Sequence, residues 1–328
     1  MFKKTLVTGG AGFIGSHLCE KLLENDYNVI CLDNFNDYYD PRIKKDNIAN
    51  SLKSKNFTLV KGDILDKECL ENIFSKNNIH KIVHLAAIAG VRPSLMNPQE
   101  YVDVDIKGTV NLLEVAKKYR VEQFIFGSSS SVYGINSKIP FTEEDRIDLQ
   151  ISPYATAKRC AELYCATYHY LYRIPVTILR FFTVYGPRQR PDMAIHKFTR
   201  LMSQGKSISM FGDGKSERDY TYIDDIVDGI LKAIQKTYKF EIFNLGNSKT
   251  IKLRNLINYI EDKLKNRAKI EQLPRQPGDV PITCADTSRA KRMLGYNPLT
   301  SIEEGIENFV KWYLEKKYFL EKLEKEKL

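Results

Sequence analysis

Residues 8–15, TGGAGFIG, follow a short β-branched run at 5–8 and open an amphipathic stretch at 13–25. Gly9, Gly12 and Gly15 are spaced so that a strand can turn sharply into a helix whose first residues are Phe13 and Ile14. Such a turn presents backbone N–H groups and a helix N-terminus to a diphosphate. A glycine-rich turn alone is common, so its setting decides the reading. Strand-like runs at 28–33, 57–61, 81–85, 123–127 and 176–180 alternate with helical patterns at 67–76, 98–119 and 153–172. That alternation predicts an α/β fold with a doubly wound parallel sheet of Rossmann type, binding ligands at the carboxyl ends of its strands. After residue 187 the pattern loosens, with turns such as FGDGKS (211–216) and LPRQPGD (273–279). We expect residues 1–187 to form the dinucleotide-binding domain and 188–328 a smaller C-terminal lobe, some of whose segments return to the first domain.

The bulk properties fit an ordinary soluble globular protein. The 328 residues are 43% hydrophobic and 28% charged, enough for a sizeable core. No run approaches the roughly 20 apolar residues of a membrane span, and the chain starts without an apolar segment of signal length, so a cytoplasmic location and no membrane partner are expected. The six cysteines are scattered without metal-ligand spacing and predict neither a disulfide framework nor a bound metal. The formal charge of +9 is spread along the chain. The tail at 311–328 mixes glutamates with lysines at helical spacing, which is a solvated helix face rather than a nucleic-acid site.

The dinucleotide can be specified further. Asp33 ends the second strand, eighteen residues past Gly15, where a carboxylate hydrogen-bonds both hydroxyls of an adenosine ribose. Its charge would repel a 2′-phosphate, and no Arg or Lys immediately follows it, so the expected cofactor is NAD, with Asn34 beside it. In GDI (62–64), Asp63 is placed to reach the adenine edge with Ile64 next to it, although a turn-forming aspartate reads equally well.

SPYATAK (152–158) supplies an N-cap serine, a proline at the first helical position, and Tyr154 and Lys158 four apart on one helix face. A tyrosine, ordinarily ionising near pH 10, needs nearby positive charge to act as a base at neutrality. Lys158 and an oxidised nicotinamide would each favour the phenolate.

With these residues in place, the chain resembles the extended short-chain dehydrogenase/reductase family of nucleotide-sugar epimerases and dehydratases over essentially its full length. TGGAGFIG, HLAA (84–87), SSSSVYG (128–134), YATAK (154–158) and VYGP (184–187) occur in the family's order. The resemblance implies a tightly held NAD lined in part by Leu85, Ala86 and Ala87. A sugar carbon is oxidised to a transient keto sugar, with Tyr154 as base, Lys158 supporting it and Ser129 shuttling the sugar proton. It also implies a C-terminal lobe that binds the nucleoside diphosphate, and a homodimer paired through the helices near 102–113 and 161–168.

Ser130 and Ser131 fall where sugar-nucleotide dehydratases carry an Asp-Glu pair, and the second is where the related decarboxylases place a glutamate. Without those carboxylates neither dehydration nor decarboxylation has its catalyst, and C4 epimerisation remains. DNFNDYYDPRIK (33–44), AGVRPS (89–94) and RFFTVYGPRQRPDM (180–193) look most like the UDP-glucuronate 4-epimerase branch. Thr183 and Gln276 stand where galactose epimerases usually show asparagine and arginine. A 4-keto uronic acid is a β-keto acid that can lose carbon dioxide, so its carboxylate must be held. We expect Ser129, Ser130, Ser131 and Thr183 to donate hydrogen bonds to it and Arg190 to add charge, with Arg92 near the active site. Arg190 could instead contact the diphosphate or lie on the surface, and Ser130 could simply pack the strand end. Arg218 is expected on the phosphates, Asp279 on the uridine ribose, and Phe211 along the nucleotide. The alternatives are a 4-epimerase for UDP-glucose or UDP-N-acetylglucosamine, and a non-catalytic NAD sensor or nucleic-acid-binding module.

Overall fold

The computed structural model describes residues 4–136, 138–274 and 280–326. Twelve strands among them are β1 (Lys4–Thr8), β2 (Asn28–Asp33), β3 (Phe57–Lys61), β4 (Ile79–His84), β5 (Gln123–Ser129), β6 (Val176–Phe181), β7 (Thr183–Tyr185), β8 (Ser207–Phe211), β9 (Glu217–Tyr222), β10 (Phe240–Leu245), β11 (Thr250–Lys252) and β12 (Lys269–Leu273). Seven form one parallel sheet in the order β10-β6-β5-β4-β1-β2-β3. The order reverses between β1 and β4, which is where ligands of such sheets sit.

Period-two alternation divides the core into two layers. Val7, Val29, Cys31, Val83, Ile125 and Leu179 pack with the helices Phe13–Glu24 and Ile223–Gln235 on one face. Leu6, Ile30, Leu32, Ile82, Phe124, Phe126 and Ile178 pack with Lys67–Lys76, Gly108–Lys118 and Pro153–Tyr172 on the other. With both faces covered, the strands read as nearly unbroken apolar runs.

Several elements differ from the sequence reading. β5 runs two residues beyond 127, so Ser128 and Ser129 belong to the strand end. The pattern at 98–119 is three pieces: the helix Pro98–Tyr101, a π-helical turn Val102–Lys107, and the helix Gly108–Lys118. β10 pairs with β6, so the large sheet takes its last strand from well beyond residue 187. The remaining strands make a β11-β9-β7 sheet and a β12-β8 pair. The tail lies on the helix Ile302–Lys325, which buries Ile306, Phe309, Val310 and Tyr313 along one side. No helix among the described residues is long and apolar enough to cross a membrane.

Candidate active site

A crevice runs along the carboxyl ends of β1, β2, β3 and β4. Gly9 has a φ of +67°, and a Cβ there would lie 2.7 Å from the backbone nitrogen of Ala86, so the turn packs directly on the strap that follows β4. A Cβ on Gly15 would collide with the carbonyl of Gly9. Gly12 caps the helix Phe13–Glu24 with no side chain in front of its first turn. Asp33, only 6% exposed, accepts from Ala11 N through Oδ2 at 3.1 Å and from Phe35 N through Oδ1 at 2.9 Å. Each oxygen keeps acceptor capacity for a ribose hydroxyl. Asp63 accepts from Asn34 Nδ2 at 2.8 Å and from Leu65 N at 2.8 Å, so its side chain is partly engaged in shaping the turn. Gly9, Gly12, Phe13, Ile14, Gly15, Asp33, Asn34, Asp63, Ile64, Leu85, Ala86, Ala87, Tyr154 and Lys158 all line this crevice. The cradle of bare backbone at one end and the paired acceptors of Asp33 further along suit a dinucleotide.

The helix Pro153–Tyr172 starts where the sequence predicts. Ser152 Oγ accepts from Ala155 N at 3.2 Å, and Pro153 occupies the first position. Tyr154 packs edge-on against Tyr101, with ring centroids 6.0 Å apart. Lys158 is buried and donates to the carbonyl of Gly127 at 3.1 Å, which fixes its ammonium at the end of β5.

A second cavity meets the first at Phe13, Ile14, Ala89, Ser128, Tyr154, Phe181 and Arg190. The serine run enters it in stages. Ser128 is buried and donates to Glu162 Oε1 at 2.6 Å, so its hydroxyl is committed to the scaffold. Ser129 accepts from Ser131 N at 3.2 Å and begins the turn. The Ser131 hydroxyl is buried without a hydrogen-bond partner. Ser129, Ser130, Ser131, Thr183, Arg190 and Arg218 all line the cavity. Among its described walls there is no aspartate or glutamate.

Arg190 reaches both crevices. Asp192 accepts from its Nε at 3.0 Å and its Nη2 at 2.9 Å, and the guanidinium stands 5.4 Å over the Tyr38 ring. Arg218 donates to the carbonyls of Glu217 at 2.9 Å and Pro281 at 3.4 Å. Arg92 is exposed on the short helix Val91–Met96, and its guanidinium lies 4.3 Å over the Phe211 ring. Neither Arg92 nor Phe211 lines either crevice. Gln276 and Asp279 lie outside the described residues.

Other residues lie at the site without having been expected there. Lys44, eleven residues past Asp33, comes within 4.0 Å of its Oδ1 and donates to Asn36 Oδ1 at 2.6 Å. Burial pulls the Lys44 ammonium below its ordinary range, and Asp33 opposes that. The absence of a cation immediately after Asp33 in sequence therefore does not leave the carboxylate without one in space. The signal was present: Asp40 and Pro41 start a helix, with Asp40 accepting from Arg42 N at 2.9 Å, and one turn brings Lys44 back over the crevice. Beneath the serine run, Glu162 receives Arg180 through two bonds of 2.9 Å, both side chains 1% exposed. Arg180 also donates to Tyr133 at 3.1 Å, and Tyr133 donates to Asn244 Oδ1 at 2.6 Å. That chain of bonds ties β5, β6 and β10 to the helix carrying Tyr154.

Comparison with known proteins agrees with this geometry. The family model described as GDP-mannose 4,6 dehydratase matches residues 6–309. A UDP-glucuronate 4-epimerase from Thermodesulfobacterium geofontis is 44% identical over 94% of this chain and 95% of its own. The crystal structure of UDP-glucuronic acid 4-epimerase from Bacillus cereus, in complex with UDP-glucuronic acid and NAD, superposes with a TM-score of 0.89 at 38% identity, covering 95% of this chain and 99% of that one. The UDP-glucose 4-epimerase of Thermotoga maritima, with UDP-glucose, gives 0.87 at 35% identity over 96% and 99%. The chain belongs to the extended short-chain dehydrogenase/reductase family of nucleotide-sugar epimerases and dehydratases.

Proposed function

We propose that this protein is an NAD-dependent 4-epimerase that interconverts UDP-glucuronate and UDP-galacturonate. The observation that carries this reading is the cavity wall: among its described residues it has Tyr154 as a proton acceptor, two arginines, and no carboxylate. Elimination of water across C5 and C6 needs an acid and a base placed there, and the serines at 130 and 131 provide neither. The dehydratase description of the matching family model therefore does not extend to the reaction. With Arg218 assigned to the diphosphate that all UDP-sugars carry, Arg190 is the cation left for a sugar carboxylate, which favours the uronate over a neutral hexose.

Bound NAD supplies a hydride acceptor and donor next to the sugar C4. Tyr154, beside the buried Lys158 ammonium, removes the proton of the C4 hydroxyl, with Ser129 hydrogen-bonding that oxygen. The keto sugar then turns the other face of C4 toward the cofactor, where the hydride would return, and Tyr154 gives the proton back to the C4 oxygen. Ser129, Ser130, Ser131 and Thr183 hold the C6 carboxylate by hydrogen bonds, and Arg190, prearranged by Asp192, contributes charge. This restraint keeps the β-keto acid from losing carbon dioxide. Arg218 contacts the diphosphate, and the C-terminal lobe holds the nucleotide, with Asp279 on the ribose, Gln276 beside it and Phe211 along the uridine. Leu163, Tyr164, Tyr170, Leu171 and Tyr172 leave an apolar side of the helix Pro153–Tyr172 exposed, with Val102 also exposed nearby in the π-helical turn, which supports a homodimer paired through these helices. The free cysteines support a cytoplasmic location, and the proposed reaction places the protein in carbohydrate metabolism, polysaccharide biosynthesis included.

The test is incubation of the purified protein with a panel of UDP-sugars and chromatographic separation of the products. Conversion of UDP-glucuronate to a second hexuronate is expected. Conversion of UDP-glucose with the uronate untouched would establish the neutral-sugar reading, which the likeness to the Thermotoga maritima enzyme supports. A pentose product would show that the carboxylate is not retained.

A further inference from the structure

Gln189 lies between two arginines in the turn that joins β7 to the helix Ala194–Ser203, and it is 2% exposed. It lines neither crevice. Its Nε2 donates to the carbonyl of Val184 at 3.1 Å, and its Oε1 accepts from His196 N at 3.3 Å. Its own carbonyl accepts from His196 Nδ1 at 2.6 Å, so that nitrogen carries the ring hydrogen. The chain enters the turn through Arg188 at a φ of +64°, a region that residues other than glycine rarely adopt, with the guanidinium held on Glu20 at 2.8 Å. The turn closes with Met193 N donating to the carbonyl of Arg190 at 3.1 Å.

These bonds join two places given above to the sugar carboxylate. Val184, whose carbonyl takes the Gln189 amide, directly follows Thr183, and Gln189 directly precedes Arg190. A buried amide is costly unless it is bonded, and its bonds are directional, so Gln189 fixes the turn where an apolar side chain of the same size would only fill it. We propose that Gln189 and His196 are positioning residues that set the separation of Thr183 and Arg190, and thereby the selectivity of the cavity for a hexuronate over a neutral hexose. This rests on the roles given above to Thr183 and Arg190.

His196 is fixed in turn by the C-terminal helix Ile302–Lys325. Its buried ring meets Phe309, Trp312 and Tyr313 edge-on, with centroids 5.7, 5.7 and 5.8 Å away. Burial pulls His196 down to about 4, so the ring is neutral and keeps a single hydrogen for the Gln189 carbonyl. The partners of the Arg190 guanidinium, Asp192 and the carbonyl of Ala89, aim the side chain without fixing where its backbone stands. That falls to Gln189 and His196, which act from behind the cavity wall and touch no ligand.

The experiment is calorimetric titration of the NAD-loaded protein with UDP-glucuronate, UDP-glucose and UDP, for the wild type, Gln189→Leu, His196→Phe, His196→Asn and Arg190→Ala. Gln189→Leu and His196→Phe keep the volume and remove the bonds; each is expected to weaken UDP-glucuronate about tenfold and the other two ligands less than about twofold. His196→Asn, whose side-chain N–H can replace Nδ1–H, is expected to restore most of the affinity. Unchanged UDP-glucuronate binding in Gln189→Leu, or equal losses on all three ligands, would overturn the inference. Arg190→Ala separates the two possible failures. Equal losses there remove the carboxylate role and the inference with it, whereas a selective loss there beside an unchanged Gln189→Leu overturns the inference alone. Selectivity lost in Gln189→Leu while the wild type turns over no UDP-sugar would uphold the inference and sink the proposed reaction. A further measurement does not depend on the variants folding: the crystal structure of the wild-type holoenzyme with UDP-glucuronate. Gln189 is expected to keep its bonds to Val184 and His196 while Thr183 and Arg190 both reach the carboxylate, and a complex formed with those bonds broken would also overturn the inference.

Discussion

The two crevices that meet at Tyr154 are built by different means. The cofactor crevice takes its walls from consecutive strand ends and the turns just after them, and much of its surface is backbone, as at Gly9 and the strap at 85–88. The second cavity draws on the serine turn, Phe141, Ile151, Ser152, Tyr154, residues 181–184, Arg190, Arg218 and Thr283, segments from both halves of the chain. Its shape therefore depends on interior packing, above all on the Glu162, Arg180, Tyr133 and Asn244 bonds behind the serines. One site is made by local turns, the other by tertiary fit, and substitutions should act differently on the two.

Tyr154→Phe should separate them most sharply. Losing the phenol should lower kcat by about 10²–10⁴, while NAD that copurifies, read by absorbance after denaturation, should stay at the wild-type level. Glu162→Ala attacks the support instead. It leaves Arg180 buried without its carboxylate and should cost about 3–5 kcal/mol in urea unfolding; a loss near zero would mean that the cavity does not depend on these bonds.

A pH series probes one histidine beneath each half. His84, between Thr8 and Thr109, is pulled down to about 3 by burial and then by Lys158; His196, against the Gln189 carbonyl, is pulled down to about 4 by burial. Both are neutral when folded, whereas the unfolded chain takes up their protons below about pH 6.5. Stability should therefore fall as pH drops from 6.5 toward 4, by ~1.4 kcal/mol per unit for each histidine. Asp105, buried in the π-helical turn Val102–Lys107 and pushed up to about 6 by that burial, pulls the other way, since protonation below that value relieves the folded state. Urea midpoints at pH 7, 6 and 5 measure the net decline, and Asp105→Asn should steepen it. The smallest effect is selective: Arg190→Ala should reduce turnover of the uronate about tenfold more than that of a neutral UDP-sugar, the scale of one charge-assisted hydrogen bond. Equal losses for both would remove Arg190 from the carboxylate.

The same division explains what could be read in the sequence. The glycine turn, Asp33 and the Ser152-capped start of the catalytic helix are legible because each is a local matter of backbone conformation and spacing. Lys44 was legible only through the Asp40-Pro41 helix start, since it is the helix Pro41–Asn47 that folds it back on Asp33. Asp105 was hidden because an even helical pattern at 98–119 does not reveal a π-helical turn that directs one carboxylate inward. Arg92 was expected near the active site, yet its short helix, entered through Gly90 at a φ of +129°, leaves it exposed on Phe211. Ser128 and its neighbours look alike as letters, and only the position of Glu162 across the sheet singles out the one that is committed.

The return of β10 to the large sheet bears on how the protein can be taken apart. Cutting the chain near residue 187 would remove the strand that covers β6, all six of whose residues are buried, and would take Asn244 from Tyr133. The fragment would present an unpaired apolar edge, the kind that recruits other strands into aggregates. The N-terminal half is therefore a poor unit for separate expression or for grafting onto another substrate lobe, and chimaeras should carry residues 240–245 with it.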